Sequence, residues 1–323
     1  MTGRPFDDIR DLVATMPAPD SQAAQNVRDV IAMNADTLNP LGNVGAPLEW
    51  LAGWQGRMPA IDRPLMAVFA GTHGVASQIL DTDISPAATQ RVKNLTEGTA
   101  AIRGIAASLG SAFKVYELGL DYPSENFMQA PSLSEKDCAA AFAFGMEVVA
   151  EGADIIALGN AGFGAVTAAA GIMRGIYGGA SDYWANGTSP TAKARIAAVE
   201  AGARLHQDLL NDPLHVLRCF GGRDIAGIVG AILAARHQSI PVILDGFVVC
   251  SAAAVLHKLN PDAISHCIAG HVTNEPAHHA VLDRIELSPL LDLGIGIGDG
   301  TGAGFAMGML RSAAQGFATL KMT

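Results

Sequence analysis

Ala153-Asp-Ile-Ile-Ala-Leu158 runs directly into Gly159-Asn-Ala-Gly-Phe-Gly164, a short apolar run closed by a glycine-rich turn. The same pattern recurs along the chain. Leu65-Met-Ala-Val-Phe-Ala70 stops at Gly71, Phe113-Lys-Val-Tyr-Glu-Leu118 at Gly119, and Pro241-Val-Ile-Leu244 at Asp245-Gly246. Stretches with helical character separate the runs, among them Glu135 to Glu151 and Asp224 to Arg236. Apolar runs of this length, bounded by turn residues and alternating with helices, predict buried parallel strands joined by crossover helices. The expected fold class is α/β. In such sheets ligands bind beyond the C-terminal strand ends. The loops Gly71-Thr-His73, Gly159 to Gly164, Asp245-Gly246 and the turn near Gly119 are therefore the candidate site. Gly221-Gly222, just before a helix, is a further candidate for anion binding.

The chain ends read differently. Residues 5–60 carry helical spacing, with Asp7, Asp8 and Arg10 flanking apolar positions and Ala23 to Met33 continuing it. Pro40, Gly42 and Gly45 break Leu38 to Gly45 into a loop before Leu48 to Trp54 resumes the helix. Gly302 to Leu320 is a small-residue helix that follows a glycine-rich loop. No clear linker or 20–50-residue repeat is visible.

Composition narrows the function. Half of the 323 residues are hydrophobic and 16% are charged, enough apolar material for a sizeable core. The net charge of −10 argues against a nucleic-acid surface and against anionic membranes. A phosphate ligand would rest largely on backbone N–H groups, and 36 glycines suit such turns, although tight small-residue packing would use them equally well. Cys138, Cys219, Cys250 and Cys267 fall in no CxxC pair or zinc spacing, which suggests a reducing compartment without disulfides. The N-terminus lacks a signal-peptide pattern, and no charge-free apolar run reaches the ~18 residues of a membrane span. A cytoplasmic location is expected.

The sharpest local feature is Gly294-Ile-Gly-Ile-Gly-Asp-Gly-Thr-Gly-Ala-Gly304. Asp299 stands there among glycines at the mouth of a helix. The N–H groups of Gly300, Thr301 and Gly302 are candidates to cradle an anion, and the carboxylate is a candidate general base. The competing reading is a helix N-cap. Gly159 to Gly164 and Cys219-Phe-Gly-Gly-Arg-Asp224 are the next candidates, each also readable as an ordinary helix start. His73 is either a ligand contact or a satisfied loop histidine. His271-Val-Thr-Asn-Glu275-Pro-Ala-His278-His279 is not HExxH, and Pro276 interrupts it, so a substrate-contact or surface loop is expected rather than a metal site. The strict GxGxxG fingerprint, a Walker A loop and a GxSxG elbow are absent.

Over nearly its full length the chain resembles the nicotinate-nucleotide–dimethylbenzimidazole phosphoribosyltransferase family. The opening Met1-Thr-Gly-Arg-Pro-Phe-Asp-Asp8 is similar to the alphaproteobacterial branch. The matching motifs are Val68-Phe-Ala-Gly-Thr-His-Gly-Val75, Asn94 to Ile102, Leu217-Arg-Cys-Phe-Gly-Gly222, Pro241-Val-Ile-Leu-Asp-Gly-Phe247, Ala269-Gly-His-Val-Thr-Asn-Glu-Pro276, and Pro289 to Gly294 running into Gly298-Asp-Gly-Thr-Gly-Ala303. The resemblance implies a Rossmann-like parallel sheet over residues 61–301, with a small helical domain from residues 1–60 and 302–323. It implies a homodimer with no cofactor and no required metal. The implied reaction displaces nicotinate from nicotinate mononucleotide by a benzimidazole nitrogen, with inversion, giving α-ribazole 5′-phosphate. By resemblance Asp299 is the general base. The phosphate and nucleotide fall to Gly162, Phe163, Gly164, Arg195, Gly221, Gly222, Asp245, Gly246, Gly300, Thr301 and Gly302. The base falls to His73, Gln78, Asn160 and Ile297.

Several ligand-facing positions depart from the family pattern. The family's base is usually Glu; Asp299 is shorter by one methylene, a reach of roughly 1.3–1.5 Å. The loop Gly-Glu-Met-Gly-Ile-Gly-Asn-Thr-Thr is here Gly159-Asn-Ala-Gly-Phe-Gly-Ala-Val-Thr167, so Asn160 replaces a Glu. Lys-Pro-Pro-Gly-Ser-Leu-Gly is here Asn39-Pro-Leu-Gly-Asn-Val-Gly45, Val-Ser is Leu80-Asp81, and a family lysine is Arg195 or, alternatively, Lys193. The alternative function is a divergent paralogue that uses another aromatic base or binds nucleotide or base without turnover.

Overall fold

The computed structural model describes residues 3–34, 41–80, 82–187 and 190–320. The expectations for Leu38 to Pro40 and for Asp81 lie outside the described residues. In chain order the elements are α1 (Pro5–Ala14), α2 (Ser21–Met33), α3 (Gly45–Gln55), β1 (Pro64–Gly71), α4 (Ile84–Thr96), α5 (Ala101–Ser108), β2 (Ala112–Leu118), α6 (Glu135–Gly145), β3 (Ile155–Asn160), α7 (Ala165–Tyr177), α8 (Ser181–Ala185), α9 (Ala192–Leu205), α10 (Pro213–Phe220), α11 (Arg223–His237), β4 (Val242–Asp245), α12 (Gly246–Leu259), β5 (Cys267–Val272), α13 (His278–Arg284), β6 (Pro289–Asp292) and α14 (Thr301–Phe317).

The strands form one parallel six-stranded sheet in the order β2-β1-β3-β4-β5-β6, so the α/β expectation holds. Strand alternation assigns the two faces. Leu65, Ala67, Phe69, Ile156, Leu158, Val242 and Leu244 join the larger core with α6, α7, α11 and α12. Met66, Val68, Ala70, Ile155, Ala157 and Ile243 point the other way, against α4, α5 and α14. Burial on both faces is why these strands read as continuous apolar runs. The order reverses between β1 and β3, the topological switch point of the sheet.

Two strands go beyond the sequence reading. Cys267–Val272 and Pro289–Asp292 are β5 and β6, where the sequence reading gave a loop from His271 onward and assigned no element to Pro289–Asp292. Gly270 and His271 interrupt the apolar character of β5. β6 is four residues long and opens with proline, which a sheet edge tolerates. Gly45, expected in a loop, instead opens α3.

The helical ends do not behave alike. Val27, Val30, Leu48, Ala52, Ala314 and Phe317 make a small separate cluster from α2, α3 and the end of α14. By contrast α1 buries Phe6, Ile9 and Val13 in the main core, and the first half of α14 lies under β3, β4 and β5.

Candidate active site

The site begins with two loops that cross. After β3 the backbone hydrogen-bonds back onto the end of β1: Ala161 N donates to Phe69 O (2.8 Å), and Phe163 N to Gly71 O (2.9 Å). Asn160 N then donates to Gly298 O (2.8 Å), which ties the 294–300 loop over the end of β3. The crossing requires glycine. A Cβ on Gly159 would lie 2.4 Å from the Asp299 carbonyl carbon and the Gly300 nitrogen. Gly300 itself has φ +101°, in the left-handed region that favours glycine.

Asp299 is thereby pressed into the wall of a cavity of about 440 Å³. The other walls come from Asn94, Thr99 and Ala100, from Asn160 to Gly162, and from Phe247, Val248 and Thr273. One Asp299 carboxylate oxygen accepts from Thr301 N at 3.0 Å. The N-cap of α14 is Gly300, without a side-chain cap, so Asp299 stands one residue before it, takes the Thr301 amide in a local turn and borders a space that fits an aromatic ring. Burial raises its carboxyl pKa above the ordinary value; the adjacent Thr301 hydroxyl and N–H oppose this, and the Asp245 charge adds to the rise.

The anion cradle expected at Gly300, Thr301 and Gly302 does not form. Gly300 N and Ala303 N donate to the two oxygens of Asp245 (2.7 and 2.6 Å), Thr301 N is taken by Asp299, and Gly302 packs over the His271 ring. Protein carboxylates already occupy the positive end of this helix. Asp245, expected at the nucleotide, is fully buried behind the site, 3.1 Å from His271. A register shift between Leu244 and Asp245 accompanies that placement. Gly246 (φ +77°) sits beside Gly298 and outside the cavity lining.

His73, Gly221 and Gly222 also fall behind the cleft. His73 is buried with Nε2 3.0 Å from an Asp224 oxygen and Nδ1 without a partner, a Cβ on Gly222 would strike its ring, and it lines neither cavity. Asp224 is fully buried; burial pushes its carboxyl up, but the His73 charge, hydrogen bonding to His73 and Asn160 and the Ile225 amide more than reverse this and leave its pKa lowered. Asn160 Nδ2 donates to Asp224 (2.8 Å), while its Oδ1 accepts from Gly162 N (2.9 Å). Asn160 lines the cavity, yet its side chain is committed to holding the 160–162 turn. Gln78 is exposed in a 3-10 turn outside the cavity lining, and Ile297 stands exposed at the cleft.

A second cavity, of about 340 Å³, adjoins the first and shares Arg91, Gly162, Val166 and Glu275 with it. Phe163, Gly164, Ala165 and Arg195 line it, so it opens on the N-terminus of α7. Arg195 is buried and pairs with Glu275 at 2.8 Å, with its Nε left without a partner. His271, Glu275 and His278 diverge: His278 turns to Thr273 and Cys250, and among the described residues no group of three metal-type ligands converges. The sequence reading missed Arg91, Phe247, Val248 and Thr273. Arg91 resembles a solvated helix charge, whereas Asn94 to Ile102 stands out in the sequence only as a matching motif.

A family model described as Phosphoribosyltransferase matches residues 16–322. A nicotinate-nucleotide–dimethylbenzimidazole phosphoribosyltransferase of Rhizobium rhizogenes is 45% identical over 329 residues, covering 99% of this chain and 97% of its own. The protein of the same description from Rhizobium meliloti is 44% identical, covering 98% and 96%. A crystal structure of the Thermus thermophilus protein of that description superposes with a TM-score of 0.85 at 29% identity, covering 94% of this chain and 97% of that one.

Proposed function

Since the chain belongs to this phosphoribosyltransferase family, we propose that it transfers the phosphoribosyl group of nicotinate mononucleotide to 5,6-dimethylbenzimidazole. The observation that carries the reading is Asp299, a carboxylate buried in the wall of a cavity of ring size, where burial holds its pKa above the ordinary value. The benzimidazole nitrogen forms a bond to the anomeric carbon from the face opposite nicotinate. The bond from that carbon to the pyridine nitrogen breaks, and its electron pair stays on the departing ring. The azole N–H proton passes to Asp299. Positive charge building on the ribosyl carbon is stabilised by the same carboxylate. The 5′-phosphate belongs in the adjoining cavity, where the N-terminus of α7 and buried Arg195 offer an anion site.

A second reading, another aromatic base, is favoured by one detail. The short Asp299 side chain already gives an oxygen to Thr301, so a base must sit close to the cavity wall to be deprotonated. The reading also includes a homodimer in the cytoplasm and a small helical domain of α2, α3 and the end of α14. Among the described residues no helix is long and apolar enough to cross a membrane. The protein mixed with nicotinate mononucleotide and dimethylbenzimidazole should release nicotinate and form an α-ribosyl product by NMR. Turnover only with purines or phenolics would move the assignment to the second reading, and absence of turnover with every base would refute transferase activity.

A further inference from the structure

We propose that Arg91 is a specificity residue that reads the carboxylate on the donor's departing ring and so selects a nicotinate over a nicotinamide nucleotide. This rests on the donor assignment above. Three charged side chains line the main cavity: Arg91, Glu275 and Asp299. Glu275 is already neutralised by Arg195 at 2.8 Å. That leaves one cation and one anion, which attract each other across the cleft without forming a contact pair.

Arg91 is oriented but not neutralised. Its Nη1 is 3.5 Å from Gly162 O, the outer limit of a hydrogen bond, and its guanidinium lies 5.4 Å from the centre of the Phe163 ring. The residue stays open to solvent at the cleft mouth. A guanidinium so placed offers a planar fork of donors that fits a carboxylate in two-point fashion.

The donor's ring has matching charges. In the nucleotide its nitrogen is cationic and its carboxylate anionic, and the carboxylate is the group that complements Arg91. As the bond to the anomeric carbon breaks, the ring cation disappears and the ring is left with net negative charge. The pull of Arg91 on it therefore grows toward the transition state, which places its contribution in kcat as well as KM. An amide in place of the carboxylate has no charge to recognise.

The same guanidinium borders the adjoining cavity, so the 5′-phosphate is the other source of an oxyanion. Nicotinate and nicotinamide mononucleotides share that phosphate and differ only in the ring substituent. Their kcat/KM values should be compared in wild type, Arg91→Met and Arg91→Lys. The nicotinate-to-nicotinamide preference should fall at least about tenfold in Arg91→Met, a typical loss for one charged contact, with Arg91→Lys between. Equal losses on both nucleotides would assign Arg91 to the phosphate or to folding and overturn the proposal. Calorimetry of free nicotinate and free nicotinamide on the wild-type protein gives a reading independent of turnover. Preferential nicotinate binding that weakens with salt is expected, and equal binding would overturn the proposal. A protein that prefers nicotinate but turns over no nucleotide would sink the transferase assignment alone. One that turns over both nucleotides without preference would sink the role of Arg91 alone.

Discussion

At the scale of single residues, a carboxylate in the cavity wall and one buried behind it have opposite environments. Asp299 is buried with few donors, and its pKa is raised; Asp224 is buried beside His73 and Asn160, and its pKa is lowered. A base must be deprotonated to act, so activity should fall as pH drops through the raised Asp299 value. The acidic limb of kcat should therefore lie above the ordinary 3.8 of an aspartate and move in Asp299→Glu; a limb unmoved by that change would assign it to another group. Asn160→Ala removes the link between Asp224 and the Gly162 amide. It should cost about 1–3 kcal/mol of stability by leaving buried groups unpaired. A raised KM for the nucleotide should accompany it, and unchanged chemical denaturation would contradict this role.

At the scale of elements, the sheet and helices pack so closely that glycine is required at defined contacts. A Cβ on Gly145 of α6 would lie 1.8 Å from Gly227 O of α11, and one on Gly230 would lie 2.0 Å from Phe142 O. Gly145→Ala should lose about 1–3 kcal/mol by overpacking, read from urea unfolding. Gly316→Ala, with nothing nearby, should be neutral or stabilising by up to about 1 kcal/mol; equal effects at both positions would contradict the packing account. β1, β3 and β4 were legible because burial on both faces makes them apolar throughout, and the exposed edge strand β2 was legible because Gly119 closes its run. β5 was not, because His271 and Gly270 serve the underside of α14, a long-range contact that leaves no local pattern. The same limit explains the site. The Asp299 loop was legible from its glycines. That Asp245 would take the Gly300 and Ala303 amides, rather than a ligand, depends on which strand ends beneath α14. Arg91 enters the cleft from a helix whose sequence shows only an ordinary surface charge.

At the scale of the whole molecule, buried neutral histidines set the acid limit of the fold. Burial pushes both His266 and His278 down to about 3, against 6.5 for a free imidazole. The unfolded chain therefore binds more protons between these values, so stability should fall as pH is lowered from about 6.5 toward 3. Asp299, with its raised pKa, works in the opposite sense. A melting temperature flat between neutral pH and about pH 5 would contradict this balance. The proposed homodimer should appear as twice the 33.3 kDa chain mass in light scattering, and a monomer at assay concentration would remove it from the account. All of the chemistry converges on whether Asp299 accepts the proton of the incoming base. The most direct measurement is nicotinate release by Asp299→Asn beside the wild-type protein, both shown to be folded. The account expects kcat to fall by about 10²–10⁴-fold in the variant; an asparagine enzyme that keeps wild-type turnover would contradict it.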